Sequence, residues 1–472
     1  MSSNWRFLES SMSFRNIICL GLLMGGFIAS SQVDEKARVE EMMRRAEEHL
    51  KRDPKGYRDS LNALKTRQLE ERAKDRLYEY QSNDSTKYLK TIDLSNMNLQ
   101  EIPEFVFRAK DLEILVLDNN SISKLPKQLR QLDSLKRIYW RSNDLGDTRP
   151  RISKLQQLEK LVFDDNGLSK IPNLRKLSNL KELGLKQNQL TEIPVNKLKK
   201  NVKLRDLDIG ENPLKLSRGK YEKLSNLKML KINKSGLSTF DPTLYHLPML
   251  DELQLQENQF AELPEGIEKL QTLTKFSCYK NKLTALPEGL RKLEKLVVID
   301  LYYNDLEVIP EWIGELKNLN ILYLSHNRIY SVPDEIGQLE RLVELYLHHN
   351  RLSVLPSSIS NLDSLKIIRV NDNYLTEFPV SFLGLPKLKE LDINHNSLTT
   401  LPAKVEKINS LRLFTFQDNE IDLKAPENHH ISFMIERMLQ RGVVCRPAIY
   451  RPIIEKPTEN ELLENDVQSQ KN

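Results

Sequence analysis

From Leu89 to Ile421 the chain repeats one arrangement of apolar and polar positions, LxxLxLxxNxLxxLP, complete in "LVELYLHHNRLSVLP" at 342–356. One period earlier stands "LNILYLSHNRIYSVP" (319–333), and one period later "LKIIRVNDNYLTEFP" (365–379). The asparagine falls at 120, 143, 166, 188, 212, 258, 281, 304, 327, 350, 373, 396 and 419, a spacing of 23 with single-residue slips around Asn188 and Asn212. Met97 and Ser235 fill the slot in two further repeats, making fifteen. In the LxL segment leucines alternate with other residues, so the leucines enter a core while their neighbours face out, as in a short strand. After the LP step the spacing changes: Ile267, Leu270 and Leu273 in "LPEGIEKLQTL" (263–273) return to the same core from a short helical or 3₁₀ segment. One unit cannot bury its own apolar face, whereas stacked units bury a continuous one, so the pattern predicts a solenoid. Fifteen parallel strands about 4.8 Å apart make a curved sheet on the order of 70 Å long. The asparagines are expected to hydrogen-bond the backbone of neighbouring turns as an internal ladder. Irregularity is expected where Met97 and Ser235 replace them, and at "NDLGDTRPRI" (143–152), where Arg149-Pro150 stands in for LP.

This frame resembles the leucine-rich repeat over residues 87–426, and its LP step is most similar to the Ras-associated and plant intracellular Ras-group scaffolds of that family. The resemblance implies an α/β fold: a right-handed solenoid with a curved parallel sheet on the concave face, short helical or 3₁₀ segments on the convex side, and helical end caps. It also implies binding rather than catalysis. Taken alone, it points to an intracellular scaffold for a signalling protein such as a small GTPase.

The ends carry different patterns. In "FRNIICLGLLMGGFIASSQ" (14–32), Arg15 flanks an apolar run from Ile17 to Ala29, and Ala29-Ser30-Ser31 supplies small residues. That is the layout of a signal peptide over residues 1–31, and the run is shorter than the ~18–20 residues of a membrane span. A buried or frayed helix is the alternative. Residues 32–86 read as a helical N-terminal cap of two amphipathic helices, interrupted at Asp53-Pro54. Residues 427–454 read as a C-terminal helical cap. There "HHISFMIERMLQRG" (429–442) aligns Ile431, Met434, Ile435, Met438 and Leu439 on one stripe, and Gly442 ends it. Residues 455–472, rich in Glu, Asn and Gln, read as a disordered tail.

Composition narrows the function classes. Lys and Arg number 71 against 66 Asp and Glu, a balance over the whole chain too even to mark a nucleic-acid surface. Cys19, Cys278 and Cys445 offer neither a disulfide framework nor zinc-ligand spacing, and Cys278 takes a core position in "FSCYKN". Secreted animal members of the family commonly carry cysteine-rich caps. Their absence here, with the signal pattern, favours a bacterial envelope or exported protein. The chain lacks GxSxG, HExxH, GxxxxGK[ST] and the kinase motif set, so neither an enzyme nor a cofactor is expected.

Candidate chemistry follows from the columns of the frame. In "ELYLHHN" (344–350), Leu345 and Leu347 point inward, Glu344, Tyr346 and His348 face the concave surface, and His349 lies at the rim. The two adjacent histidines are thus not expected to face one ligand. Across neighbouring repeats the outward columns gather Tyr279, Tyr302, Tyr323, Tyr346 and His348, with Tyr303 beside them at the rim. Aromatic side chains on an otherwise polar face are typical of binding hot spots, although cross-strand stacking within the sheet would also place them there. The rim column itself reads His326, His349, Asp372, His395 and Asp418, residue types that suit zinc, but no metal site is expected because nothing fixes the ring orientations. The expected function is an exported binding module, secreted or in the cell envelope, that grips a protein partner or a surface glycan on the concave face. The cytoplasmic scaffold is the alternative. No nucleic-acid partner and no stable membrane span are expected.

Overall fold

The computed structural model describes residues 71–146, 152, 154–215 and 219–446; the signal segment, the first N-terminal helix and the tail lie outside the described residues. The chain divides into two units, 1–79 and 80–472. Residues 71–82 are helical.

The second unit is a solenoid. Among the described residues its sheet has sixteen parallel strands in simple sequence order, from Thr91–Asp93 to Val444–Arg446. Each strand is three residues long and pairs with the next in strict repeat register, so Leu322 faces Leu345 and Tyr323 faces Tyr346. The middle residue of each repeat strand is buried, and the second leucine of LxL follows it inward: Leu345 and Leu347 are both 0% exposed. The alternation of the sequence is therefore the alternation of core and surface.

On the other side of the core, 3₁₀ turns follow the LP step. Glu311–Glu315, Asp334–Gln338 and Ser357–Asn361 each start directly after a proline whose φ lies near −70°. Proline's fixed φ suits that entry, and its missing N–H would have no partner in the first turn. Adjacent turns approach closely: a Cβ built on Gly337 would lie 2.4 Å from Ser358 O, so only glycine fits there.

The asparagine ladder is present. Asn350 Nδ2 donates to Leu324 O of the previous repeat and Leu347 O of its own, both at 3.0 Å, and its Oδ1 accepts from Ile329 N at 3.0 Å. Met97 belongs to the repeat of the first strand among the described residues, so its substitution there breaks no bond to an earlier described strand. At the other departure Ser235 Oγ stays within its own turn on Asn233 O (3.2 Å), and Leu214 N turns instead to Asn212 O (2.7 Å). After the irregular 143–152 repeat, the buried Oδ1 of Asn166 has no hydrogen-bond partner.

The far end is closed by a helix, His429–Gln440, whose Ile431, Met434 and Met438 are buried. It is tied to the turn of the fourteenth repeat by Asn428 Nδ2 on Thr399 O (2.9 Å), His430 Nε2 on Leu401 O (2.7 Å) and Arg437 Nε on Glu406 Oε2 (2.6 Å). Leu439, expected on the buried stripe, is exposed: the helix turns its flank outward one residue before its end. Beyond Gly442, in the left-handed region at φ 80°, the chain adds the sixteenth strand beside Leu413–Thr415. The repeat frame predicts fifteen strands. The extra one covers the edge that the last repeat would otherwise leave unpaired.

Candidate binding surface on the strand face

The strand face is a grid whose rows are strand positions and whose columns are repeats. Most of its outward residues are half-buried, because each flanks others one strand away. In the tenth to twelfth repeats this grid becomes aromatic. The rings of Tyr323 and Tyr346 stack at 4.8 Å between centroids. Tyr302 meets Tyr303 edge-on at 4.5 Å, and Tyr303 stacks on His326 at 4.1 Å. His348 joins the two groups, 6.1 Å from Tyr302 and 6.3 Å from Tyr346. Five of the six expected site residues thus share one ring cluster. Tyr279 stands apart, donating from its hydroxyl to Glu257 Oε1 at 3.1 Å.

The histidines depart from expectation. His348 and His349 both enter the cluster, with centroids 5.7 Å apart, and His326 stacks on His349 at 4.0 Å. The reason is the backbone at the rim. The residue before each ladder position is left-handed in all fifteen repeats, from Asn96 (φ 60°) through Tyr303 (55°), His326 (54°) and His349 (53°) to Asp418 (54°). The sign change in φ folds the rim side chain back toward the strand face instead of letting it continue the alternation. A single sequence hides this, since the column holds Asn, Asp, His, Lys, Glu, Gln, Ser and Tyr without a glycine.

Polar groups frame the rings. Tyr346 donates to Glu344 Oε2 at 2.9 Å, and the Arg369 guanidinium lies 5.5 Å from the centre of the Tyr346 ring. Ser277 Oγ donates to Asp300 Oδ2 at 2.8 Å, while burial pushes that carboxyl up. Burial, with Tyr303 beside it, pushes the Tyr302 phenol up to about 12. Along the rim His349 Nε2 lies 3.4 Å from Asp372 Oδ2, and His395 Nε2 lies 3.1 Å from Asp418 Oδ2. Among the described residues no three His, Cys, Asp or Glu side chains gather as a metal ion would require. Cys278 is fully buried, and burial raises its thiol well above the ordinary range.

His348 is the titratable centre of the surface. Its Nδ1 lies 2.7 Å from Ser325 Oγ, and burial, reinforced by His326 and His349, pushes its imidazole down to about 4. The unfolded chain takes up this proton near pH 6.5. Between the two values the unfolded state binds more protons, so this group's contribution to stability is lost as pH falls. Asp164, raised by burial to about 6, works in the opposite sense, because its folded carboxyl takes up a proton first. Comparison with His348→Asn isolates the histidine. Discounted for partial exposure, the parent should lose about 1–2 kcal/mol more than the variant between about pH 7 and about pH 4. Urea midpoints measured across that range should diverge, and parallel profiles would refute the assignment.

A second feature was not visible in the sequence. Gly184 lets Asp164 pack close over the strand face: a Cβ there would meet Asp164 Oδ1 at 2.7 Å. The hollow beside it is lined by Asp164, Glu182, Asp206 and Asp208 with Arg141, Lys160 and Lys231, and equally by the apolar Val162, Leu183, Leu207 and Met229.

Comparison with known proteins agrees with this architecture. The model described as "Leucine rich repeat" matches residues 87–145, 271–329, 317–375, 340–398 and 363–421. The solved structure of a Leptospira interrogans LRR protein, LIC12759, superposes with a TM-score of 0.68 at 28% identity, covering 79% of this chain and 98% of that one. Tsukushi of Gallus gallus is 30% identical over 199 residues, 39% of this chain and 53% of that protein. The rat volume-regulated anion channel subunit LRRC8D is 26% identical over 197 residues, 39% of this chain but 22% of that protein. The chain thus spans about half or less of the curated relatives it matches. Among the described residues no helix is long and apolar enough to cross a membrane.

Proposed function

The chain is a leucine-rich repeat solenoid, and from that premise we propose that it is an exported, non-catalytic protein that binds a protein partner through its strand face. Leucine-rich repeat proteins are typically protein-binding and generally non-enzymatic. The observation that carries the reading is the ring cluster of Tyr302, Tyr303, Tyr323, Tyr346 and His348 on an otherwise charged face. Tyrosine supplies a large contact area at low entropic cost and keeps a hydroxyl for a polar partner. Tyr279, one strand away from Tyr302, extends the surface toward the middle repeats. A glycan is the other ligand that such rings and hydroxyls would suit.

Tyr323→Ala combined with Tyr346→Ala tests the surface. Truncating a hot-spot tyrosine costs ~2 kcal/mol or more of binding, whereas the stacked pair contributes only about 0.5–1.5 kcal/mol to the fold beyond its burial. Partners are captured by crosslinking in native-host extract and identified by mass spectrometry. The double variant should lose bands that the parent captures while keeping most of its melting temperature. Unchanged capture would remove the cluster from the binding surface.

Export rests on the N-terminal pattern. Cleavage is expected after Ser31. N-terminal sequencing of protein from the native host should begin near Gln32. An intact 1–31 segment on cytosolic protein would favour the scaffold reading instead.

A further inference from the structure

A different surface is set apart by charge. Residues 154–234 hold 19 Lys and Arg against 9 Asp and Glu, a net of +10 in a chain whose total is +5. Three of the nine acids are engaged around the strand face: Glu182 pairs with Lys160 (2.5 Å), Glu159 with Lys181 (2.8 Å) and Glu211 with Lys186 (3.0 Å). The turns after the LP step are different. There Lys176, Lys197, Lys200, Lys203, Lys220 and Lys223 are all exposed and, among the described residues, form no ion pair. Lys197, Lys220 and Lys223 line one open hollow with Asn196; among the described residues Glu192 is the one carboxylate lining it, and Glu222 stands exposed between Lys220 and Lys223. Lys203 extends the patch through a 2.7 Å hydrogen bond to Asn179 Oδ1. Between Lys200 and Lys203 stands Val202, 59% exposed, its carbonyl fixed by Asn226 Nδ2 at 2.6 Å.

We propose that this side of the solenoid, opposite in character to the aromatic strand face, docks on an anionic phospholipid bilayer. The patch is built of lysine ammonium groups, compact point charges without the planar fork that reads bases or clamps single phosphates. The tyrosine of these turns, Tyr221, is buried, so the patch offers no ring on which a nucleobase could stack. Diffuse positive charge with an apolar side chain at its crest matches a headgroup layer: the ammonium groups sit among lipid phosphates while Val202 enters the acyl boundary. Docking through this side would leave the aromatic face open to its partner.

Sedimentation of the full chain with vesicles tests the proposal, using pure phosphatidylcholine against equal parts phosphatidylglycerol and phosphatidylcholine. The parent should partition onto the anionic vesicles alone and be released as salt rises, since such attraction decays within a Debye length. Each lysine near the surface contributes about a fivefold factor. Lys197→Glu, Lys200→Glu, Lys203→Glu and Lys220→Glu together should therefore reduce partition by at least about a hundredfold. The same four positions changed to Gln keep the loss measurable without introducing acids, and should reduce it by a smaller factor. Equal binding to neutral vesicles, unchanged binding by both variant sets, or tighter binding to duplex DNA than to the anionic vesicles would each overturn it.

Discussion

Leu347→Ala should destabilise the solenoid by about 2–5 kcal/mol, although the side chain lies next to one of the proposed binding residues. Leu347 is fully buried, and its neighbours in the same inward column, Leu324 and Val370, are fully buried too. The cavity cannot close by a shift of the backbone, because that backbone is pinned on both sides. Leu324 N donates to Tyr346 O at 2.9 Å, and Leu347 N donates to Arg369 O at 2.8 Å. The cost therefore includes the unfilled cavity as well as the lost transfer of the side chain from water. In a repeat protein each unit touches only its neighbours, so the damage should be regional. Thermal melting should shift down, and hydrogen exchange should accelerate most across residues 319–379. Parent-like melting would mean the inward column is not the core.

Asn350→Ala should cost a comparable ~2–5 kcal/mol, and its partners show why. Leu324 O keeps a second donor in Asn327 Nδ2 (2.9 Å), and Leu347 O keeps one in Asn373 Nδ2 (3.0 Å). Ile329 N has no such reserve, since Asn350 Oδ1 is its acceptor. The variant thus loses three shared bonds, the third to His348 O, which keeps His326 N (3.0 Å), and strands one buried N–H, which alone costs about 1–3 kcal/mol. Ser235 shows how the chain manages without the amide: the corresponding donor, Leu214 N, bends back to Asn212 O. Asn350→Ser should therefore be less damaging only if the turn at Ile329 can make the same bend. Urea unfolding of both variants measures the difference. A loss below about 0.5 kcal/mol for Asn350→Ala would show that water replaces the ladder.

The strand face was legible wherever side-chain direction follows from alternation alone. Tyr302, Tyr323 and Tyr346 could be placed outward beside Leu301, Leu322 and Leu345 without coordinates, because a strand has period two. What escaped depends on geometry that alternation does not encode. His326 and His349 reach the cluster through a left-handed backbone, and the residue types at that position do not reveal it. The sixteenth strand is only Val444-Cys445-Arg446, too short to show a period and outside the leucine frame. The basic patch was masked by averaging: a chain-wide charge of +5 conceals +10 within residues 154–234.

The left-handed rim column sets rules for diversifying this scaffold. None of its fifteen residues is Val, Ile, Thr or Pro, although several of these abound elsewhere in the chain. A β-branched side chain in that conformation is a steric outlier, and proline cannot adopt positive φ. Left-handed backbone costs an L-residue roughly 1–2 kcal/mol, and every repeat already carries that cost. A library that varied positions such as 280, 303, 326, 349, 372 and 395 could sample Asn, Asp, His, Lys, Gln, Glu, Ser and Tyr freely. Codons admitting Val, Ile, Thr or Pro would fill it with misfolded members. The rim is a row of display positions with a restricted alphabet.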